Sequence, residues 1–313
     1  MFAGSAAYAK ERLAQGRPGP VLSIGNFDGV HLGHQHLLGQ VVAAARARGV
    51  PAAVYTFDPP PRTVLAPALR QPNITAWPDR VRLLGELGTD EVIIERFSRA
   101  FAQHPPAWFA DEVLRNRIGP QEMIVGYDFR FGRARAGTVD TLRDRLALPI
   151  AKVAPLVLDD QTVSSSLIRS LISAGEVAQA AKLLSRPHLV RGVVVPGNRR
   201  GRTIGFPTAN VETDAELLPA AGVYAVRARV DGGPWCNGVT NLGVRPTFGG
   251  DGPFLVEVHL LDFREDIYGA EVEVRFLKRI RAEQRFDSVD ALVARIRADV
   301  QEAHAVFAAS TSA

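Results

Sequence analysis

The sequence predicts two domains: an α/β domain with a parallel sheet, then an antiparallel β-barrel that a C-terminal helix closes. The chain has 313 residues, which is longer than one typical domain. Its first half alternates short β-like runs with segments of helical periodicity, a pattern typical of a parallel sheet wound with helices. Its second half contains short β-branched runs separated by turn residues, a pattern typical of an antiparallel sheet or small barrel.

The elements of the first half follow from their periodicity. Strands are predicted at 20–27, 50–58, 89–97 and 121–129, and helices at 34–49, 79–88 and 106–119. Gly49 is expected to end the first helix, because glycine adopts the left-handed conformation common at helix C-termini.

The second half is predicted to hold five strands, at 188–197, 222–232, 235–244, 254–263 and 270–281. A final helix is expected at 288–307, with Ser288 as its N-cap. Near Pro187 the pattern changes from alternating strands and helices to successive β-branched runs, so we expect domains at 1–186 and 187–313.

Composition limits the class of protein. Hydrophobic residues make up 46% and charged residues 22% of the chain, as in globular enzymes. The net charge of +4 favours phosphate-bearing small molecules as partners and gives little support to nucleic acid. Cys236 is the single cysteine, so no intrachain disulfide is expected, and no apolar run approaches a membrane span. The N-terminus lacks a signal-peptide pattern; we expect a cytoplasmic protein without membrane association, and leave its oligomeric state open.

The segment "GNFDGVHLG" (25–33) lies between the first predicted strand and helix. Ligands of open α/β sheets bind at such strand carboxyl ends. Gly25, Gly29 and Gly33 allow close backbone approach, and the helix N-terminus offers free amides to an anion. The spacing is neither GxGxxG nor GxxxxGK[ST], so the segment predicts a phosphate site without supporting dinucleotide hydride transfer or P-loop chemistry.

One histidine lies within this segment and another directly follows it. His31 and His34 are three positions apart and are candidates to donate hydrogen bonds to phosphoryl oxygens as charge builds on a leaving pyrophosphate. A metal site is the alternative, although no third ligand is evident. His36 lies further around the helix and is expected to be a bystander.

Three other segments carry polar residues with more than one interpretation. Ser164 and Ser165 precede an apolar-periodic helix and form either an ordinary N-cap or a second anion site, with Arg169 one turn inside. In "GRTIGFPTANV" (201–211), Thr208 and Asn210 point to one side of a strand and are candidate Mg²⁺ ligands or ordinary turn residues. Glu257 alternates with the apolar residues Val256, Val258 and Leu260 in "FLVEVHLLDF" (254–263); the residues alone favour a solvated carboxylate over a general base.

Longer stretches resemble a known family. "GNFDGVHLGH" (25–34) closely matches the GxFDGxHxGH signature of the nucleotidyltransferase superfamily, and within it the chain resembles bacterial bifunctional riboflavin kinase/FMN adenylyltransferases. "YTFDPPPRTVL" (55–65), "VGYDFRFG" (125–132) and "VSSSLIRSLI" (163–172) are similar to further segments of that family. The chain departs from the pattern at Pro60, where the family usually has histidine, and at Ser166 in place of threonine.

The resemblance implies a Rossmann-like nucleotidyltransferase domain that adenylylates FMN. It implies catalytic roles for His31, His34 and Arg169. The implied nucleotide-binding residues are Gly25, Asn26, Phe27, Asp28, Gly33, Asp128, Ser164 and Ser165. The implied flavin-binding residues are Phe57, Pro59 and Pro61.

The second half is similar, in order, to the riboflavin kinase module of the same family, through 192–211, 222–226, 237–248 and 256–269. This similarity implies nucleotide binding by Gly201, Arg202 and Gly205. Thr208 and Asn210 are implied as Mg²⁺ and nucleotide ligands, and Glu257 as the base that deprotonates the ribityl 5′-hydroxyl. Pro196 replaces the family's usual histidine.

The expected function is ATP-dependent phosphorylation of riboflavin to FMN, followed by adenylylation of FMN to FAD with release of pyrophosphate. Riboflavin, FMN and ATP are the expected partners, with Mg²⁺ in both steps. One alternative is that only the kinase half is active, given Pro60. Another is a flavin- or nucleic-acid-binding regulator, which the small net charge disfavours.

Overall fold

The computed structural model describes residues 1–197, 201, 204–244 and 254–311. They form two compact units, Met1–Ser164 and Ser165–Ala313. The elements of the first unit are α1 Ser5–Ala14, β1 Val21–Ile24, α2 Leu32–Arg48, β2 Ala52–Asp58, α3 Pro61–Leu65, α4 Trp77–Glu86, β3 Glu91–Arg96, α5 Arg99–Ala102, α6 Pro106–Trp108, β4 Glu122–Gly126, α7 Val139–Leu146, β5 Ile150–Val153, β6 Val157–Leu158 and β7 Gln161–Thr162. Within the described ranges, no helix combines the length and apolarity that crossing a membrane requires.

The first unit is built on a parallel sheet, as predicted. Its strand order is β3-β2-β1-β4-β5, and every pairing is parallel. The chain moves outward from β1 to β2 and β3, then returns to the other side of β1 with β4. This reversal between β1 and β4 creates the crevice at which ligands bind in open α/β sheets.

Local sequence explains how these elements begin and end. β1 is buried along its whole length, as expected for a strand covered by helices on both faces. Gly49 ends α2 with a left-handed φ of 65°, which confirms its predicted role. The helix expected at 106–119 begins as α6 and continues as a π-helix, Phe109–Ile118. The helix α1 was not predicted, because it buries only Ser5 and Tyr8 and therefore shows no apolar stripe.

The second unit contains a closed antiparallel barrel, which confirms the predicted architecture. Its elements are α8 Ser165–Ser173, α9 Val177–Leu184, β8 His188–Val195, β9 Ala209–Glu212, β10 Gly222–Val230, β11 Cys236–Val244, β12 Phe254–Leu260, β13 Glu271–Ala282 and α10 Val289–Thr311. The strand order around the barrel is β10-β11-β12-β9-β8-β13, and β13 pairs with β10 to close it.

Helices cover parts of this barrel. The hydroxyl of Ser288 accepts a hydrogen bond from the Ala291 amide at 3.1 Å, so it caps α10 as predicted. Phe307 of α10 packs on the outer face of β10 and β11. Val177 of α9 is fully buried in the barrel core. The second compact unit therefore begins at Ser165, upstream of Pro187, because α8 packs on α9, and α9 packs on the barrel strands β8 and β13.

Candidate active sites

The turn after β1 carries most of the residues predicted to handle phosphate. Phe27, Gly29 and Val30 have left-handed φ angles of 50°, 86° and 41°. Glycine adopts this conformation freely, whereas a β-branched valine does so only under constraint. Phe27 and Val30 are 2% and 1% exposed, so their packing in the hydrophobic core fixes the turn in place.

His31 and His34 lie together at the start of α2. The rings stack with centroids 3.6 Å apart, and His31 caps the helix by accepting the His34 amide hydrogen on Nδ1 at 3.3 Å. A neutral imidazole that accepts on Nδ1 carries its proton on Nε2. His31, which is 5% exposed, therefore presents an Nε2–H donor at a helix N-terminus, an arrangement that suits a phosphoryl oxygen.

The metal alternative for these histidines finds little support. Nδ1 of His31 is already occupied by the His34 amide. Among residues of the described ranges, no group of three or more His, Cys, Asp or Glu side chains is placed to hold a metal ion.

Gly33 lies where two chain segments approach each other. A Cβ at this position would lie 3.2 Å from the imidazole of His31 and 3.5 Å from the carbonyl oxygen of Val163. Ser164 follows Val163 directly, so the predicted second anion-binding segment begins beside the histidine turn. Ser165 starts α8, and Arg169 follows one turn later on that helix.

Asp28 has a different environment from its neighbours. Its carboxylate is 4% exposed and accepts hydrogen bonds from the amides of Ile74 and Thr75. It also forms an ion pair with Arg80 at 2.8 Å. Sequence reasoning placed Asp28 among the nucleotide-binding residues and missed Arg80 altogether.

The predicted flavin-binding residues lie beside an aromatic cluster. Phe57 is the penultimate residue of β2 and contacts Tyr55, Phe97 and Phe101, with ring centroids 5.2, 5.5 and 6.3 Å away. Burial raises the pKa of the Tyr55 phenol well above its ordinary value, and the Glu95 carboxylate acts in the same direction. The hydroxyl therefore stays protonated and donates to Glu95 at 2.8 Å.

The loop after β2 starts beside this cluster. Pro59 follows β2 and is exposed, Pro60 precedes α3, and Pro61 begins that helix. Phe97 and Phe101 were missed as candidates, although Phe97, an aromatic residue at the end of the predicted strand 89–97, was an available signal.

Strand β4 lies next to β1 in the sheet, and the loop that follows β4 carries Asp128. That side chain is exposed and turns back toward the strand, since a Cβ at Gly126 would lie 3.5 Å from its Oδ1. Arg130, Arg133 and Arg135 of the same loop are also exposed. The loop thus offers cationic groups beside the crevice between β1 and β4.

The barrel brings together two of the residues predicted for phosphorylation. Glu257 of β12 is the register partner of Asn210 of β9, so the two side chains lie on the same face of the sheet. The neighbouring residues Val256 and Val258 are buried on the opposite face, in the barrel core, as the alternation predicted. Asn241 of β11 pairs with Glu257 from the other side and was not anticipated.

The segment before β9 borders a cavity of about 280 Å³. Thr208 is exposed, one residue before β9, and Asn210 is 8% exposed. Gly201, Thr208 and the loop at 263–268 line the cavity. Gly205 has a left-handed φ of 87°, and the predicted nucleotide-binding residue Arg202 lies outside the described residues.

Gly197 approaches Asn210 so closely that no larger residue fits. A Cβ on Gly197 would lie 1.9 Å from Nδ2 of Asn210. We expect Gly197→Ala to displace the Asn210 amide and to lower the riboflavin phosphorylation rate about tenfold, as for the loss of roughly 1.4 kcal/mol of transition-state stabilisation. Steady-state kinetics with riboflavin and ATP measure this effect. Gly39→Ala is the control, since nothing lies within 4 Å of a Cβ there; an unchanged rate in Gly197→Ala would show that the Asn210 position is unimportant.

His259 connects β12 to the segment before Thr208. Its Nδ1 lies 2.7 Å from the carbonyl oxygen of Pro207, and because a carbonyl only accepts, the imidazole donates. We expect His259→Phe to slow riboflavin phosphorylation about fivefold, the equivalent of one hydrogen bond of about 1 kcal/mol. His259→Asn keeps an amide donor and should restore most of the rate. Equal rates for the Phe and Asn variants would contradict this role.

Comparisons with known proteins agree on both halves of the chain. A family model described as FAD synthetase matches residues 14–167, and one described as riboflavin kinase matches residues 184–307. A crystal structure described as a macrolide-efflux protein from Streptococcus pneumoniae superposes with a TM-score of 0.85 at 35% identity, over 92% of this chain and 94% of that one. Neither family model shares that description, since both name flavin enzymes.

Full-length relatives carry the same pair of activities in their names. The bifunctional riboflavin kinase/FMN adenylyltransferase of Bacillus subtilis is 38% identical over 92% of both chains. The protein of the same name from Pseudomonas fluorescens is 39% identical over 93% of this chain and 94% of its own. The chain therefore belongs to the family of bifunctional riboflavin kinase/FMN adenylyltransferases.

Proposed function

We propose that this enzyme phosphorylates riboflavin to FMN and then adenylylates FMN to FAD with release of pyrophosphate, using ATP in both steps. The observation that carries the proposal is the presence of two separate constellations in one chain. One is the His31–His34 pair at the switch point of a parallel sheet. The other is the Asn210–Glu257 pair on the barrel.

We assign adenylyl transfer to residues 1–186 and riboflavin phosphorylation to residues 187–313. The two family matches, at 14–167 and 184–307, support this division.

In the adenylyl step, an FMN phosphate oxygen attacks the α-phosphorus of ATP, and the bond between the α-phosphorus and the bridging oxygen breaks to release pyrophosphate. Nε2–H of His31 and the imidazole of His34 donate to the phosphate oxygens that gain charge. Backbone amides at the start of α2 hold the phosphates, and Arg169 is assigned the role of an added cation. Gly25, Asn26, Phe27, Gly33, Asp128, Ser164 and Ser165 complete the proposed nucleotide site.

In the phosphorylation step, the 5′-hydroxyl of riboflavin attacks the γ-phosphorus of ATP and ADP leaves. The Glu257 carboxylate takes the hydroxyl proton as the new bond forms. The cavity lined by Gly201 and Thr208 binds the nucleotide, and Gly205 and Arg202 are further residues of the proposed nucleotide site.

The residues at the barrel site also fit a magnesium ion. Mg²⁺ prefers hard oxygen ligands and is commonly held by one or two protein groups together with substrate phosphates. Asn210 is 8% exposed, and its amide lies against Gly197; Thr208, which carries a hydroxyl oxygen, precedes it by two positions. We propose that these two residues bind the ion, which when bound neutralises charge on the phosphates of ATP.

The flavin ring of FMN is proposed to lie against Phe57 and the loop of Pro59 and Pro61. The aromatic cluster around Phe57 supports this placement, because flat apolar rings stack favourably on aromatic side chains. A cytoplasmic location is part of the proposal, since the single cysteine permits no stabilising intrachain disulfide.

Isotopically labelled ATP tests the proposed sequence of reactions. With riboflavin, Mg²⁺ and ATP labelled at the γ-phosphate, we expect the label first in FMN and then in FAD. With ATP labelled at the α-phosphate, we expect label in FAD alone. Labelled FMN that accumulates without any FAD would favour the alternative in which only the kinase half is active.

A further inference from the structure

The turn after β1 needs an external restraint to keep its shape. Phe27 and Val30 both have positive φ angles, at 50° and 41°. Non-glycine residues persist in this region only when surrounding contacts over-determine the backbone. The turn also immediately precedes His31, so its shape decides where the Nε2–H donor and the first amides of α2 are located.

Arg80 of α4 supplies polar contacts on both sides of Phe27. Its side chain is fully buried. Nη1 donates to the carbonyl oxygen of Asn26 at 3.2 Å, and Nη2 donates to Oδ1 of Asp28 at 2.8 Å. A single guanidinium thus binds the backbone carbonyl of the residue before Phe27 and the carboxylate of the residue after it.

The same guanidinium is itself fixed in place. Nη2 also lies within hydrogen-bond distance of Oδ1 of Asn73, at 3.1 Å, and of the carbonyl oxygen of Thr75, at 3.0 Å. The ring of Trp77 lies 4.4 Å from its central carbon. Since Asp28 also accepts the amides of Ile74 and Thr75, the turn is joined to the segment 73–77 by a buried polar network.

A buried ion pair of this kind is weak evidence for a stabilising role, because desolvation offsets most of the attraction between the charges. The contacts of Arg80 on both sides of Phe27 indicate a more specific role for this ion pair. We propose that Arg80 is a positioning residue for adenylyl transfer: it holds the turn 26–30, through Asn26 and Asp28, in the shape that presents His31 to the phosphates. This inference rests on the proposed assignment of adenylyl transfer to residues 1–186, and it gives Asp28 an indirect role in nucleotide binding.

The planar fork of arginine is essential to this role. The Asn26 carbonyl and the Asp28 carboxylate each accept a hydrogen bond from a different nitrogen of Arg80. A lysine ammonium keeps the charge but lacks two separately directed nitrogens. Arg80→Lys should therefore restore part of the activity that a neutral residue loses.

The test compares both activities of the full-length protein. In Arg80→Met we expect kcat for FAD formation from FMN and ATP to fall 30-fold or more, with KM for FMN changed less than threefold, on the scale of one lost transition-state donor. Riboflavin phosphorylation by the same preparation should be unchanged. Arg80→Lys should have a kcat between those of the Met variant and the unmodified protein. Arg82→Met is the matched control, since Arg82 lies on the same helix and its side chain is 44% exposed.

A second variant guards against simple misfolding. Arg80→Met leaves the Asp28 charge buried, whereas the double variant Asp28→Asn/Arg80→Met removes both charges. If the two residues act as one unit, the double variant should lose no more adenylyl activity than Arg80→Met. Adenylyl transfer at the unmodified rate in the double variant, or an equal loss of both activities in it, would overturn the role of Arg80. Absence of FAD formation in the unmodified protein would instead refute the proposed function itself.

Discussion

With the Glu257→Gln substitution, we expect the enzyme to phosphorylate riboflavin at least about 100-fold more slowly, as is typical for loss of a general base. The amide keeps the size of the side chain but has no basic oxygen to take the hydroxyl proton. FAD formation from supplied FMN should be unaffected. Separation of flavins by chromatography, from reactions started with riboflavin or with FMN, measures the two rates independently.

A matched control separates the base from general effects of charge on the barrel. Glu271 lies exposed at the start of β13, so Glu271→Gln removes one carboxylate from the same barrel and should leave both rates unchanged. A Glu257→Gln enzyme that still phosphorylates riboflavin at the unmodified rate would show that another group accepts the proton.

The His31→Ala substitution should have the opposite selectivity. We expect FAD formation to fall by about 100- to 1,000-fold, the range seen when one oxyanion donor is removed, while FMN formation is retained. The expected product from riboflavin is therefore FMN that accumulates.

Two further variants separate the catalytic role of His31 from its structural one. His31 caps α2, and losing a cap costs about 1 kcal/mol of helix stability. Asparagine is a good N-cap without an Nε2–H donor, so His31→Asn should preserve thermal stability and still lose FAD formation. His36→Ala should leave both activities unchanged, since His36 is exposed on α2. Normal FAD formation by His31→Asn would show that capping is the main role of His31.

Local patterns predicted the fold well because the decisive signals were local. The change from a strand–helix alternation to successive β-branched runs distinguished the parallel sheet from the barrel. Gly49 and Ser288 marked helix ends through conformational and capping preferences that act within a few residues. The short helix α1 lacked such a signal, since it contributes few side chains to the core.

The arrangement of the sites depends on contacts that no local pattern encodes. Arg80 lies 52 residues from Asp28 in the sequence, and nothing near Arg80 indicates that it is buried in an ion pair. The pairing of Glu257 with Asn210 depends on the register of β12 against β9, which closure of the barrel fixes. Sequence reasoning could therefore name candidate residues for both sites, through the family resemblance, but not the residues whose contacts hold those candidates in place.

Mixing two inactivated enzymes tests the central claim, that one chain carries two chemistries at separate sites, most directly. Glu257→Gln alone should make neither FMN nor FAD from riboflavin, and His31→Ala alone should stop at FMN. An equimolar mixture of the two, with riboflavin, ATP and Mg²⁺, should produce FAD, because FMN released by one variant is adenylylated by the other. If the mixture accumulates FMN without FAD while Glu257→Gln still adenylylates supplied FMN, FMN does not pass freely from one enzyme molecule to another. If Glu257→Gln fails to adenylylate supplied FMN, the two chemistries do not have separate sites, and the central claim is contradicted.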